Sequence, residues 1–107
     1  MRYERITSIR ADHPSLAGHF PGRPVVPGVI LLQEVLATVR QSLPEGWTVT
    51  GLPHVKLSSP LKPDESVTVE VEGEISGDVT FSCRVDQRLV ASGVITFSHR
   101  STQVDGV

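Results

Sequence analysis

Cysteine and aromatic side chains are scarce in this chain: one Cys, one Trp, one Tyr and three Phe among 107 residues. A single cysteine, Cys83, excludes an internal disulfide and any all-cysteine metal site. It stands in an alternating strand pattern, where a small buried hydrophobe is expected rather than a reactive thiol. No apolar run approaches the ~18 residues a membrane-spanning helix needs. An excess of positive charge is also missing. The formal charge is −2 and the pI about 6.0, which argues against nucleic acid as the main partner. The start, Met1-Arg2-Tyr3-Glu4-Arg5, is charged with no apolar run behind it, so no export signal is expected and a cytoplasmic location follows as the default. The four histidines lack paired spacing and no carboxylate triad accompanies them, so no metal site is expected.

What is abundant is proline and glycine, eight and nine residues, and four of the prolines and three of the glycines fall in one stretch, residues 13–37. Prolines at 21, 24 and 27 deny regular hydrogen bonding between Gly18 and Pro27 and predict an ordered loop. Asp12 to Gly18 predicts a single helical turn with Pro14 at its start. A helix is then predicted from Pro27 or Gly28 to about Ser42, stopped by Leu43-Pro44-Glu45-Gly46. Val29, Ile30, Leu31, Leu32, Val35, Leu36, Ala37 and Val39 occupy more than one of its faces, which predicts burial on most sides.

Strands fill the rest. Tyr3, Ile6 and Ile9 suggest a short first strand. Trp47, Val49, Val55 and Leu57 suggest a long second one, bulged or bent near Gly51-Leu52-Pro53. Val67, Val69 and Val71 alternate with Thr68, Glu70 and Glu72, so one face is buried and the other wet. Ser76-Gly77-Asp78 marks a turn, Val79, Phe81, Cys83 and Val85 continue the alternation, and Asp86-Gln87 marks another turn before Leu89 to Phe97. The expectation is one α+β domain over residues 1–98, followed by a flexible tail over 99–107. Edge strands of so small a sheet call for a second copy of the chain.

Gly18-His19-Phe20-Pro21-Gly22-Arg23-Pro24, followed by Pro27-Gly28-Val29, resembles the signature of the 3-hydroxyacyl-[acyl-carrier-protein] dehydratases. Val55-Lys56-Leu57, Pro60 to Glu65, Val85-Asp86 and Leu89-Val90-Ala91 resemble that family's later strands more weakly. The length and the Ala11-Asp12-His13-Pro14 lead-in are most similar to its small aryl-polyene-type members. The resemblance implies a hotdog fold, in which a long central helix is wrapped by a curved antiparallel sheet and two protomers join their sheets. It also implies a homodimer or higher homo-oligomer acting on a 3-hydroxyacyl thioester of acyl carrier protein or coenzyme A, in fatty-acid or polyketide-like biosynthesis. The phosphopantetheine arm would come with the substrate, and no separate cofactor is implied.

By the same resemblance, His19 is the catalytic base and the backbone N–H of Gly28 binds the thioester oxygen. A histidine exchanges protons readily at neutral pH, and free N–H groups in a first helical turn suit a developing enolate. Phe20, Pro27 and Val29 would line the substrate site, and Arg23 would contact the carrier protein or the phosphopantetheine phosphate. Packing at Val29, Leu32 and Leu36 would set pocket depth.

One position departs from the pattern. Where the family carries a Glu or Asp that handles the hydroxyl, this chain has Gln33, and an amide cannot donate a proton as an acid. Glu34 is a possible substitute acid, although one helical step turns it about 100° away. Three readings stay open: a dehydratase with altered chemistry, a non-catalytic subunit that depends on a related dehydratase partner, and an acyl thioesterase.

Overall fold

Alternating valines set the architecture. The structure, a computed structural model of the chain, describes residues 1–16 and 25–100. Its elements are β1 (Arg2–Thr7), a short 3₁₀ turn (Pro14–Leu16), α1 (Gly28–Ser42), β2 (Trp47–Leu57), β3 (Val67–Gly73), β4 (Val79–Val85) and β5 (Arg88–His99). The five strands form one antiparallel sheet in the order β1-β3-β4-β5-β2. Val69 pairs with Cys83 and Val71 with Phe81, while Cys83 and Val79 pair onward with Ala91 and Ile95. Each of these side chains is at most 2% exposed, because a strand's period of two sends every second side chain to the same face.

Against that face lies α1, through Ile30, Leu31, Val35 and Val39. Thr38 is also fully buried, and its hydroxyl is satisfied by the carbonyl of Glu34 at 2.8 Å. The helix boundaries fall where the sequence places them, and Leu43 takes an extended conformation (ψ 126°) ahead of Pro44, as a residue preceding proline favours. The helix itself is shorter than the long element expected. Its 15 residues rise about 22 Å. It is not buried on most sides either: Val29 is 62% exposed, and Gln33 and Arg40 are exposed beside it. The sheet covers one side of α1 only.

The expected short first strand is present as β1 and ends at Thr7. Tyr3, Arg5 and Thr7 turn toward the helix, where the Tyr3 hydroxyl meets Gln41 Oε1 at 3.0 Å and Thr7 Oγ1 meets Glu34 Oε1 at 3.3 Å. Ile6 points outward, 70% exposed. Apolar residues three apart cannot share a face of a strand. Ile9 is buried beyond the strand end, where its carbonyl accepts from the Asp64 N–H at 2.7 Å.

The long second strand and its bulge are both present. Register slips between Val49 and Gly51 and again between Gly51 and His54, around Pro53, which has no N–H to give a ladder. β2 is an edge strand whose last part, His54 to Leu57, is exposed. At the far end of the same pair β5 runs through His99, whose ring packs edge-on to Trp47 with centroids 4.8 Å apart. The strand therefore includes the first residue assigned to the tail; residues 101–107 lie outside the described part.

Opposite the bulge, Gly93 has no room for a side chain. A Cβ there would stand 2.2 Å from the His54 carbonyl oxygen and 2.6 Å from the Phe81 ring. Both neighbours belong to the sheet, so the clash cannot be relieved by a surface rotamer. Gly93→Ala should lower unfolding stability by about 1–3 kcal/mol, read by denaturant titration. Gly77→Ala, where the nearest atom is 3.8 Å away, should leave the midpoint nearly unchanged.

Candidate active site

The entry to α1 is built from Val25-Val26-Pro27-Gly28. Pro27 is extended (φ −59°, ψ 143°), and its carbonyl closes the first turn by accepting from the N–H groups of Ile30 and Leu31 at 3.0 and 3.3 Å. The N–H groups of Gly28 and Val29 have no acceptor inside the helix. No side chain caps this end and its first turn holds no acidic residue. The positive end of the helix dipole is thus left without a carboxylate of its own.

Beside that end lies an apolar cavity of about 380 Å³. Val26, Leu31, Leu61 and Val90, each at most 5% exposed, form its floor, and the less buried Gly28 and the exposed Leu57 also line it. The two are in close contact: a Cβ on Gly28 would come 2.7 Å from Leu57 Cδ1, so a side chain at position 28 and the present Leu57 rotamer exclude one another.

The wall is fastened by backbone bonds. Val26 N–H donates to the Leu61 carbonyl at 2.8 Å, and Ser58 N–H to the Val90 carbonyl at 2.8 Å. Ser59 Oγ donates to the Leu89 carbonyl at 2.9 Å. Glu65 holds the loop behind Leu61, accepting from the Lys62 N–H at 2.8 Å and from Arg88 Nη2 at 2.9 and 3.0 Å. The Lys62 N–H first, and then Arg88, hold the Glu65 carboxyl below the ordinary range.

The expected site residues separate into distinct places. Pro27 and Gly28 line the cavity. Val29 and Gln33 lie on the open flank of the helix, one turn apart and both exposed. Glu34 is turned the other way, toward β1, where it forms an ion pair with Arg5 and accepts from Thr7. That engagement directs the possible acid away from both the cavity and Gln33. Of the residues expected to set pocket depth, Val29, Leu32 and Leu36 are absent from the described lining, and Leu31 is there instead. His19, Phe20 and Arg23 lie outside the described residues.

Two features were missed in the sequence. Arg5 and Thr7 as partners of Glu34 left no local signal, because strand and helix are brought together only by the fold. The closure of Leu57 over Gly28 had a faint one, an apolar residue at the end of an edge strand. Among the described residues no group of His, Cys, Asp or Glu could hold a metal ion, and no helix is long and apolar enough to cross a membrane.

A family model of the ApeI-like dehydratases matches residues 2–94. The chain belongs to the ApeI-like dehydratase family. Solved structures agree on the fold. The dehydratase heterocomplex ApeI:P of Xenorhabdus doucetiae contains a chain with 24% identity and a TM-score of 0.76, over 92% of this chain and 95% of that one. The (R)-hydratase of A. caviae involved in PHA biosynthesis superposes with a TM-score of 0.70 at 19% identity, over 92% and 94%. A mutant of the fluoroacetyl-CoA-specific thioesterase FlK does so with a TM-score of 0.66 at 15%, over 95% and 88%. The sheet and α1 form a hotdog domain, the fold shared with these structures.

Two outcomes follow from the geometry. A double-mutant cycle on Arg5→Ala and Glu34→Ala should give a coupling of about 0.2–1 kcal/mol, since both side chains keep contact with solvent. Coupling indistinguishable from zero would contradict the pairing. Burial pushes the Cys83 thiol up to about 12, so at pH 8 it stays protonated. It should resist a thiol reagent in the native protein and react at once in denaturant; equal rates would contradict its burial.

Proposed function

We propose that this chain dehydrates a 3-hydroxyacyl thioester to the enoyl thioester. The carrying observation is the uncapped α1 N-terminus opening onto an apolar cavity in a protein of a dehydratase family. The thioester oxygen would sit at the Gly28 N–H, which stabilises enolate charge as it develops. His19, assigned by the motif, takes the proton alpha to the carbonyl; the electrons of that C–H bond form the double bond as the C–O bond breaks. The hydroxyl leaves as water after accepting a proton from the histidinium or from solvent. Gln33 holds the hydroxyl or the departing water and supplies no proton. Phe20, Pro27 and Val29 border the substrate, and Arg23 meets the carrier protein or the phosphopantetheine phosphate.

Gln33 is exposed in a single chain and does not line the described cavity. We therefore read the complete site as shared between subunits, with His19 of one facing the Gln33 position of the other. The exposed apolar residues Val29 and Val55 and the edge strand β2 supply a surface for that pairing. A homodimer is the simplest partner. A related dehydratase subunit bringing a carboxylate is the second reading, and the replacement of the acid by Gln33 favours it. Thioester hydrolysis is the third, supported only at the level of fold. The carrier, acyl carrier protein or coenzyme A, and a cytoplasmic biosynthetic role belong to the same proposal.

The test supplies 3-hydroxyacyl thioesters on both carriers and follows the conjugated enoyl product. His19→Ala should reduce the rate roughly 10²-fold or more, and Gln33→Glu should raise it. Release of free thiol without enoyl product would turn the reading to a thioesterase. Silence of the natural chain beside turnover by Gln33→Glu would make it a subunit that needs a partner's acid.

A further inference from the structure

We propose that Leu57 is the specificity gate of this site, selecting the acyl chain by length in the cavity beside Gly28. The inference rests on the reading above, that a thioester carbonyl meets the Gly28 N–H, and adds where the rest of the substrate goes. The cavity floor is made by Val26, Leu31, Leu61 and Val90, all buried. The backbone groups in its wall already bond one another: Val26 N–H to Leu61, and the N–H groups of Ser58 and Ser59 to Val90. The Ser59 hydroxyl is engaged by Leu89. Among the described residues the walls therefore offer a ligand apolar contact and few polar partners, which suits an alkyl chain and penalises a polar tail.

The Gly28 N–H has no intrahelical acceptor, and Gly28 lines the cavity. A carbonyl held there puts its acyl chain directly beneath Leu57, whose Cδ1 occupies the space where a Gly28 side chain would be. Leu57 is 57% exposed, so its rotamers are held only loosely by packing and it can yield to a substrate. A volume of about 380 Å³ lies near the lower end of small-molecule sites. The gate is therefore set for short and medium chains.

The experiment measures binding, so that it stands apart from turnover. Saturated acyl-pantetheine thioesters lack the 3-hydroxyl and cannot be dehydrated. Their affinities are measured by calorimetry for the butyryl, hexanoyl, octanoyl and dodecanoyl forms. The natural chain should favour hexanoyl or octanoyl. Leu57→Ala should shift the dodecanoyl-to-hexanoyl preference toward the longer chain by about tenfold, and Leu57→Phe should shift it the opposite way. Ile6→Ala, on the outer face of β1, should leave the profile unchanged. An effect on assembly alone would weaken all four ligands together without moving their ranking, and that result overturns the gate. Absence of acyl binding, or profiles that superimpose across the Leu57 variants, overturns it as well. A shifted binding profile with no enoyl product in the dehydration assay would sustain the gate and refute the dehydratase reading.

Discussion

The rotational phase of α1 is the constraint on which the site depends. Ile30, Leu31, Val35 and Val39 must face the sheet, because removing several such side chains from water is the main force holding a domain of this size together. Once that stripe is seated, every other helix residue is assigned a direction. Gly28 falls at the cavity, Gln33 on the open flank and Glu34 against β1. Residues adjacent in sequence, Gln33 and Glu34, are thereby separated by about 100° and given different chemistry. The ion pair of Glu34 with Arg5 reinforces the phase that hydrophobic packing sets.

This phase also explains how a 15-residue helix serves a site larger than its own surface. The N-terminus supplies backbone donors with no acceptor inside the helix and no carboxylate of its own. Val26 of the helix entry, Leu31 of α1, Leu61 of the connection after β2 and Val90 of β5 supply the apolar floor, and Glu65 with Arg88 ties that connection down. Chemistry that polarises a carbonyl beside an alkyl chain needs this division, polar donors at one end and unreactive hydrocarbon behind. The open flank bearing Val29 and Gln33 is the part of the helix that the sheet leaves uncovered.

Much of this was legible in the residues, and what was not has a physical reason. The valine alternation in β3 and β4, the bulge near Pro53 and the bounds of α1 follow from periodicity and proline, which act locally. The facing of β1 does not: apolar Ile6 lies outside and Arg5 inside, because a partner carboxylate from the helix makes the inward arginine favourable. The exposed flank of α1 was misread for a related reason. Apolar composition announces burial without saying whether the same chain or another supplies the cover. The Gly-His-Phe-Pro motif pointed to thioester chemistry by resemblance, while the cavity at Gly28 and its closure by Leu57 emerged only from the packing of β2 against the helix entry.

Whether the α1 N-terminus and the cavity beside it receive an acyl thioester is open to one direct measurement. Amide chemical shifts of isotopically labelled protein are followed during titration with octanoyl-pantetheine. The largest changes are expected at Gly28 and Val29, with further changes at Leu57, Leu61 and Val90 and little along the outer strand β1. Changes concentrated elsewhere, or none at the helix N-terminus under saturating ligand, would contradict binding at this site.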